Sequence, residues 1–295
     1  MKNIKCNTTL FAALFTALFA GTLASFATAD DRFASVEVTA EKVNGNVYML
    51  KGAGGNIGAS IGEDGTLIID DQFGPLAAKI VGALEGIGGD RPRLVLNTHW
   101  HGDHTGSNPQ FGTTATIVSH HNVRVRLAAE DGYPRSGLPL ITYGENLSVH
   151  FNDEEIEVLH LPKGHTDGDS IVWFKTSNVV HMGDHFFNQR YPYVDLGSGG
   201  DVDGFIANVS QALALITPDT YVIPGHGPLA SRSDLQKTLD VIVASTAGVR
   251  ERLAAGEDHA AIAAWLQETY PGWGSGFINE QRWIQIIAAD TTPGA

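Results

Sequence analysis

Three histidines and one aspartate are crowded into six consecutive positions of the chain, from residue 99 to residue 104. They are His99, His101, Asp103 and His104. Neutral imidazole nitrogen and ionised carboxylate oxygen are ligands that zinc and neighbouring transition metals accept. The apolar run 94–96 directly before the cluster predicts a buried strand that ends where the chain turns toward a helix. We therefore expect a metal site at the carboxyl end of a strand, where sites of α/β folds are usually built.

Three later segments repeat this design, in which an apolar strand runs into a small polar turn that carries a ligand. The candidate ligands in these turns are His165, Asp184 and His226. A glycine stands beside each of them, and a glycine lets the backbone approach a shared centre where a Cβ would collide. Because all three turns follow strands, we expect them to converge at one rim of the fold.

The order and context of these ligands resemble the metallo-β-lactamase superfamily. The matching segments extend from the strand at 65–70 to the turn at 224–227. The resemblance implies one metal held by His99, His101 and His165. It implies a second metal held by Asp103, His104 and His226, with Asp184 bridging the two. We therefore expect two Zn²⁺ per chain, with iron as the less favoured cofactor.

The chemistry of a two-metal site agrees with this division of ligands. Two divalent ions ~3.5–4 Å apart need anions between them, and Asp184 and a bridging hydroxide would supply those charges. Water bound to such cations loses a proton near neutral pH and becomes a nucleophile. Asp103 is also the candidate catalytic residue, because it can accept a hydrogen bond that orients the hydroxide. Asp70 is the candidate acceptor for the free N–H of a ligand imidazole.

The segment after Asp184 carries the candidate substrate contacts, which are His185, Asn188, Arg190 and Tyr191. Arg190 or Asn188 would anchor a substrate carboxylate. The Gly- and Pro-containing segment 131–144 is a candidate loop over the site.

Apolar patterns on both sides of the ligand cluster predict the elements that position it. In the first half they predict strands at 36–38, 47–50, 57–61, 66–70, 94–96 and 115–119, with helices at 75–87, 108–111 and 120–130. In the second half they predict strands at 147–151, 156–161, 171–174, 179–182 and 221–224, a helix at 203–216, and two or three helices between 232 and 289. Strands followed by a helix thus occur in each half. This order predicts an α/β fold in which two sheets pack together with helices outside, a four-layer αββα sandwich.

Residues 1–29 have the pattern of a secretory signal peptide. Lys2 and Lys5 precede an apolar run from residue 10 to residue 26, and Ala27-Thr28-Ala29 is a cleavage site. The run is interrupted by small polar residues and falls short of the ~20 apolar residues that a membrane span needs. We therefore expect a periplasmic or secreted protein without a stable membrane anchor. Residues 30–295 are expected to form a single domain without cysteine, since Cys6 is the only one.

Charge and composition narrow the class of substrate. Loss of the signal leaves 17 basic and 33 acidic residues, a net charge of −16 with histidine neutral. Nucleic-acid binding requires a basic stripe, which this chain lacks. A small-molecule substrate is therefore expected, whereas the oligomeric state cannot be inferred.

The expected reaction is hydrolysis of a cyclic amide or ester of the β-lactam type by an exported dinuclear zinc enzyme. Several true lactamases carry Cys or Ser where Asp184 stands and a lysine where Phe187 stands, so only weak or moderate lactamase activity is expected. One alternative is a lactonase or a carboxylic ester or thioester hydrolase, although Arg252 and Arg282 are few basic residues for holding glutathione. Another is a mononuclear iron dioxygenase acting on persulfides, which fits export to an oxidising compartment less well.

Overall fold

The fold is taken from a computed structural model, which describes residues 31–290. The predicted signal peptide lies outside this range and stays a prediction. The described part begins with a short helix, α1 (Asp31–Ala34). Within residues 31–290, no helix has both the length and the apolar character that crossing a bilayer requires.

The first sheet contains seven strands in sequential order. They are β1 (Thr39–Asn44), β2 (Val47–Lys51), β3 (Ile57–Gly62), β4 (Gly65–Ile69), β5 (Leu94–Asn97), β6 (Thr116–His120) and β7 (Ile141–Tyr143). The strands from β1 to β4 pair antiparallel, whereas those from β4 to β7 pair parallel. The parallel part is connected by helices α2 (Ala77–Glu85), α3 (Gly102–Thr105), α4 (Asn108–Phe111) and α5 (His121–Ala129).

The second sheet contains six strands, in which each strand again lies beside the next one along the chain. They are β8 (Asn146–Phe151), β9 (Glu154–His160), β10 (Ser170–Phe174), β11 (Val179–His181), β12 (Tyr221–Ile223) and β13 (Ala230–Ser231). Only β11 and β12 pair parallel, and helix α6 (Val202–Leu215) connects them. Three helices complete the domain: α7 (Arg232–Ala254), α8 (His259–Thr269) and α9 (Glu280–Asp290).

Three apolar clusters show how the layers stack. Strand β4 illustrates the alternation, because Leu67 and Ile69 join the cluster between the two sheets while Ile68 joins the cluster beneath α2. The third cluster lies between the second sheet and the helices α6 to α9. Successive side chains of a strand point to opposite faces, so both faces of each sheet are buried. The predicted four-layer αββα sandwich is therefore confirmed.

Two local predictions are wrong. Residues 36–38 form no strand, because Val36 and Val38 pack against the cluster beneath α2 and the Val36 carbonyl accepts a hydrogen bond from Lys79. Residues 131–144 do not cover the site. Their last part is strand β7, which pairs with β6, and the Ser136 hydroxyl donates to the Pro109 carbonyl. The segment is therefore held at the edge of the first sheet.

Candidate metal centre

The imidazoles of His99, His101 and His165 converge where β5 and β9 end, and together they are called the first trio. His101 Nδ1 lies 2.8 Å from His165 Nε2. The His99 ring lies 4.9 Å from the His101 ring and 4.6 Å from the His165 ring, measured between centroids. His99 Nε2 is buried without a hydrogen-bond partner. Buried polar atoms are normally paired, so nitrogens that face one another around a shared point fit ligands of a metal ion.

Asp103, His104 and His226 form a second trio beside the first. His104 Nε2 and His226 Nε2 are 3.4 Å apart, and Asp103 Oδ2 is 3.5 Å from His226 Nε2 and 3.8 Å from His104 Nε2. The His104 side chain is fully buried, whereas those of His226 and Asp103 are 21% and 27% exposed. The second trio therefore opens toward solvent on one side.

Asp184 lies between the two trios. Its Oδ2 is 3.7 Å from His99 Nε2 and 3.5 Å from His165 Nε2. Its Oδ1 is 3.1 Å from His104 Nε2 and 3.3 Å from His226 Nε2. Each carboxylate oxygen thus faces one trio, which is the arrangement that a bridging ligand requires.

Glycines make this close approach possible. A Cβ on Gly225 would lie 2.2 Å from Asp184 Oδ1, and one on Gly55 would lie 2.1 Å from His104 Cε1. Gly55 belongs to the turn between β2 and β3, and its N–H donates to the Asp103 carbonyl. Any larger side chain at these two positions would push a ligand away from the centre.

Asp70, at the end of β4, fixes the orientation of the buried imidazoles. Its Oδ2 lies 2.7 Å from His104 Nδ1 and also accepts the Thr98 hydroxyl, while its Oδ1 accepts the Thr98 N–H. The Thr98 hydroxyl oxygen lies 3.0 Å from His99 Nδ1. Asp70, His99 and His104 also have the spacing of metal ligands. Both oxygens of Asp70 are already engaged as acceptors, however, so Asp70 holds the rings with their Nε2 atoms turned to the centre.

Burial and charge set the protonation states of the ligands. Burial lowers the pKa of His99 well below its ordinary value and that of His165 to about 4, so both rings are neutral at pH 7. Burial alone would raise the pKa of Asp184, but His104, His226 and His99 hold it well below its ordinary value. Burial also opposes a proton on His104, yet the carboxylates around it raise its pKa. A cation entering the second trio would therefore displace a proton.

A loop after Asp184 supplies two contacts that sequence reasoning missed. The Tyr193 carbonyl oxygen lies 2.6 Å from His165 Nδ1, and Asp195 Oδ2 lies 3.0 Å from His101 Nε2. A carbonyl group has no sequence signature. Asp195 follows Asp184 on the same loop, but nothing in its spacing points to His101.

A cavity of about 610 Å³ reaches both trios, because His101, Asp103, His226 and the intervening Asp184 line it. Its other walls are largely aromatic or aliphatic, from Phe73, Phe187, Tyr191, Tyr193, Phe277 and Ile278. Arg190 also lines it, and the Arg190 guanidinium forms no ion pair or hydrogen bond with any residue from 31 to 290. The cavity therefore joins an apolar wall, one unpaired cation and the ligand cluster.

Of the four predicted substrate contacts, two line the cavity and two do not. Arg190 and Tyr191 line the cavity, and their contact with substrate stays a prediction. The prediction is wrong for His185, whose ring turns toward α6, stacks on Phe205 and places Nε2 3.0 Å from Asn208 Nδ2. It is also wrong for Asn188, whose buried amide donates to the Pro228 carbonyl instead of reaching the cavity. The turn at 183–185 directs Asp184 toward the metal centre and His185 away from it, toward α6.

Comparisons with known proteins agree with this geometry. The model of the metallo-beta-lactamase superfamily matches residues 42–226, a range that contains every predicted ligand. A hydroxyacylglutathione hydrolase of Polaromonas sp. is 35% identical over 135 residues, which cover 45% of this chain and 47% of that protein. The metallo-beta-lactamase type 2 of Bacteroides fragilis is 23% identical over 147 residues, covering 50% and 58% respectively. The chain thus spans about half the length of these curated relatives.

Solved structures support the same fold. A metallo-beta-lactamase from Pontibacter korlensis superposes with a TM-score of 0.61 at 15% identity, covering 70% of this chain and 99% of that one. The DIM-1 metallo-beta-lactamase gives the same TM-score at 20% identity, covering 71% and 99%. Because the family match spans more than half of the chain and includes both trios and Asp184, the chain belongs to the metallo-β-lactamase superfamily.

Proposed function

We propose that this protein is an exported dinuclear zinc hydrolase that opens a cyclic amide or ester, such as a β-lactam or a lactone. The observation that carries the proposal is the position of Asp184, which lines the cavity and turns one oxygen to each trio. Membership in the superfamily and the hydrolase names of similar proteins support it. Zinc is favoured over iron because an exported protein works in an oxidising compartment.

Zinc bound by the two trios would act as a Lewis acid and lower the pKa of bound water to near neutrality. The residues of the chain do the rest. The partly exposed Asp103 lines the cavity, where it accepts a hydrogen bond from the attacking water and orients it. The hydrogen bonds to Asp70, Tyr193 and Asp195 keep the imidazoles in place throughout turnover. Such preorganisation avoids rearrangement of the site at the moment of reaction.

The cavity walls bind the rest of the substrate. Phe187 stacks on the His226 ring at 5.1 Å between centroids, so an apolar surface directly adjoins the second trio. Burying apolar substrate surface there contributes roughly 25 cal/mol per Å². Arg190 supplies a charge-assisted hydrogen bond to a carboxylate, in place of the lysine that Phe187 replaces. The site therefore accepts both neutral apolar esters and anionic lactams.

Thioester hydrolysis is the second candidate, because two similar proteins, at 35% and 33% identity, are hydroxyacylglutathione hydrolases. An acylglutathione is a thioester and carries two carboxylates. Arg252, one of the basic residues considered for holding glutathione, pairs with Glu257 at 2.9 Å. Among the residues that line the cavity, Arg190 is the only lysine or arginine, and its guanidinium has no partner in the described part of the chain. A single free cation favours a substrate with fewer negative charges than glutathione.

Metal analysis combined with a substrate panel tests the proposal. The panel contains a penicillin, a cephalosporin, a carbapenem, a lactone and a thioester. We expect two zinc ions per chain and hydrolysis of a lactam or a lactone. One iron per chain with oxygen uptake on a persulfide would refute the proposal, and cleavage of the thioester alone would favour the second candidate.

The anchor role of Arg190 is tested by Arg190→Ala. Loss of ground-state binding raises KM without changing kcat, so KM should rise about tenfold for anionic lactams and stay unchanged for neutral lactones. Arg91→Ala is the control, because Arg91 contacts Thr114 and Gln110 and does not line the cavity. Equal effects of Arg190→Ala on both substrate classes would rule out the anchor.

A further inference from the structure

The loop from Tyr193 to Ser198 contacts two of the three imidazoles of the first trio. Besides the contacts to His165 Nδ1 and His101 Nε2, the Asp195 N–H donates to the His165 carbonyl at 2.9 Å. The same Asp195 Oδ2 that faces His101 also accepts the Ser198 hydroxyl at 2.6 Å. The loop is therefore bound to both the side chain and the backbone of His165.

His101 differs from the other two members of its trio in the nitrogen that faces the centre. His99 and His165 turn Nε2 inward, since their Nδ1 atoms lie against Thr98 and the Tyr193 carbonyl. His101 turns Nδ1 inward, 2.8 Å from His165 Nε2. A neutral imidazole carries one proton, so an inward lone pair on Nδ1 requires the proton on Nε2. Asp195 is the group that accepts that proton in a hydrogen bond.

We propose that Asp195 is a positioning residue, which fixes the tautomer and orientation of His101 and thereby strengthens metal binding in the first trio. The inference rests on the proposed metal centre. Its physical basis is the carboxylate partner of a ligand imidazole, which orients the ring and raises its basicity. The side chain of Asp195 is only 15% exposed, so solvent screens its charge little. Asp195 would serve the first trio as Asp70 serves the second.

A purely structural role for Asp195 is the competing explanation. Asp195 also begins the turn at 196–198, where its carboxylate accepts the Ser198 N–H and hydroxyl. Ser198→Ala removes the hydroxyl bond that holds the turn but leaves the contact between Asp195 and His101. Asp195→Asn keeps the size of the side chain but removes its charge. Ser198→Ala therefore tests the contribution of the turn, and Asp195→Asn tests the contribution of the carboxylate that faces His101.

The test is a zinc titration of the apoprotein in competition with a chromophoric chelator. Asp195→Asn should weaken the zinc of the first trio 10- to 100-fold, the range seen when such partners are removed. Ser198→Ala should change that affinity less than threefold. Cobalt substituted for zinc should show a shifted visible spectrum in Asp195→Asn and an unshifted one in Ser198→Ala. Equal weakening by both variants, or none by Asp195→Asn, would overturn the proposal.

A second measurement needs no variant. Long-range ¹H–¹⁵N NMR of the zinc-loaded wild type should show the proton of His101 on Nε2, and a proton on Nδ1 would overturn the role of Asp195. Zinc binding with the other tautomer would leave the proposed metal centre intact. A wild type that binds no zinc would refute the metal centre together with this inference.

Discussion

Replacing Asp70 with asparagine changes almost nothing in volume but changes the hydrogen bonds around the second trio. Asp70 is fully buried and accepts three hydrogen bonds, each 2.7 Å long, from Thr98 N–H, the Thr98 hydroxyl and His104 Nδ1. An asparagine amide replaces one acceptor oxygen with a donor. If the NH₂ takes the place of Oδ2, it meets the Nδ1–H of His104. If it takes the place of Oδ1, it meets the N–H of Thr98.

Two donors that face each other should lower both the stability of the protein and its affinity for zinc. Losing a hydrogen bond to a charged group and leaving a buried donor unpaired costs roughly 1.5–3 kcal/mol of stability. His104 can relieve the clash by moving its proton from Nδ1 to Nε2. That shift removes the lone pair that faces Asp184 and the centre. We therefore expect the affinity of the second trio for zinc to fall about 10- to 100-fold in Asp70→Asn.

Urea unfolding of the apoprotein and zinc titration measure the two effects separately. Asp71→Asn is the matched control, because Asp71 is equally buried and burial raises its pKa well above the ordinary value. The Asp71 Oδ1 accepts the Ser107 N–H at 2.9 Å, and its Oδ2 has no hydrogen-bond partner among the described residues, so an amide of the same shape should alter zinc binding little. Unchanged affinity of the second trio in Asp70→Asn, or an equal loss in Asp71→Asn, would show that Asp70 does not fix the tautomer of His104.

Three further predictions concern the bridge, the substrate and pH. Asp184→Ala should reduce the metal content toward one ion per chain and lower turnover, and unchanged stoichiometry by elemental analysis would argue against bridging. Phe277 is 69% exposed at the cavity wall, so Phe277→Ala should raise KM about tenfold for lactones with long acyl chains but not for short ones. The similarly exposed Leu140, outside the cavity, is the control, and an equal effect of Leu140→Ala would contradict this role. His120 stacks on His160 at 3.7 Å between ring centroids. The pKa of His120 is lowered to about 4, mainly by burial and secondly by repulsion from the His160 ring. The unfolded chain binds a proton near pH 6.5 that the folded chain rejects, so the free energy of unfolding should fall as pH drops from 6.5 toward 4. Urea midpoints at pH 7 and pH 5 should differ less in His120→Asn than in the wild type, and an equal difference would contradict this cause.

The ligands of the centre could be predicted from the sequence because each follows a buried strand. Strand ends of a sandwich meet at one rim, so residues as far apart as His99 and His226 are brought within reach of Asp184. Asp70 could be predicted for the same reason, since it directly follows β4. The direction in which a side chain points after the strand ends is harder to predict from the sequence. Only the turn at 183–185 decides that Asp184 faces the centre while His185 faces α6.

Contacts that depend on tertiary packing left no signal in the sequence. The loop at 193–198 reaches the first trio through a carbonyl and through Asp195, neither of which has a spacing typical of ligands. Phe277 and Ile278 complete the apolar wall from the connection between α8 and α9. The alternation at 36–38 has the period of a strand, yet it arises from packing beneath α2.

Anomalous diffraction from crystals of the zinc-loaded protein would show how the ligands are divided between two metals. We predict two peaks at the zinc edge, one within the first trio and one within the second, with the Asp184 carboxylate between them. A single peak, an iron signal in one trio, or a peak among Asp70, His99 and His104 would exclude this division of the ligands.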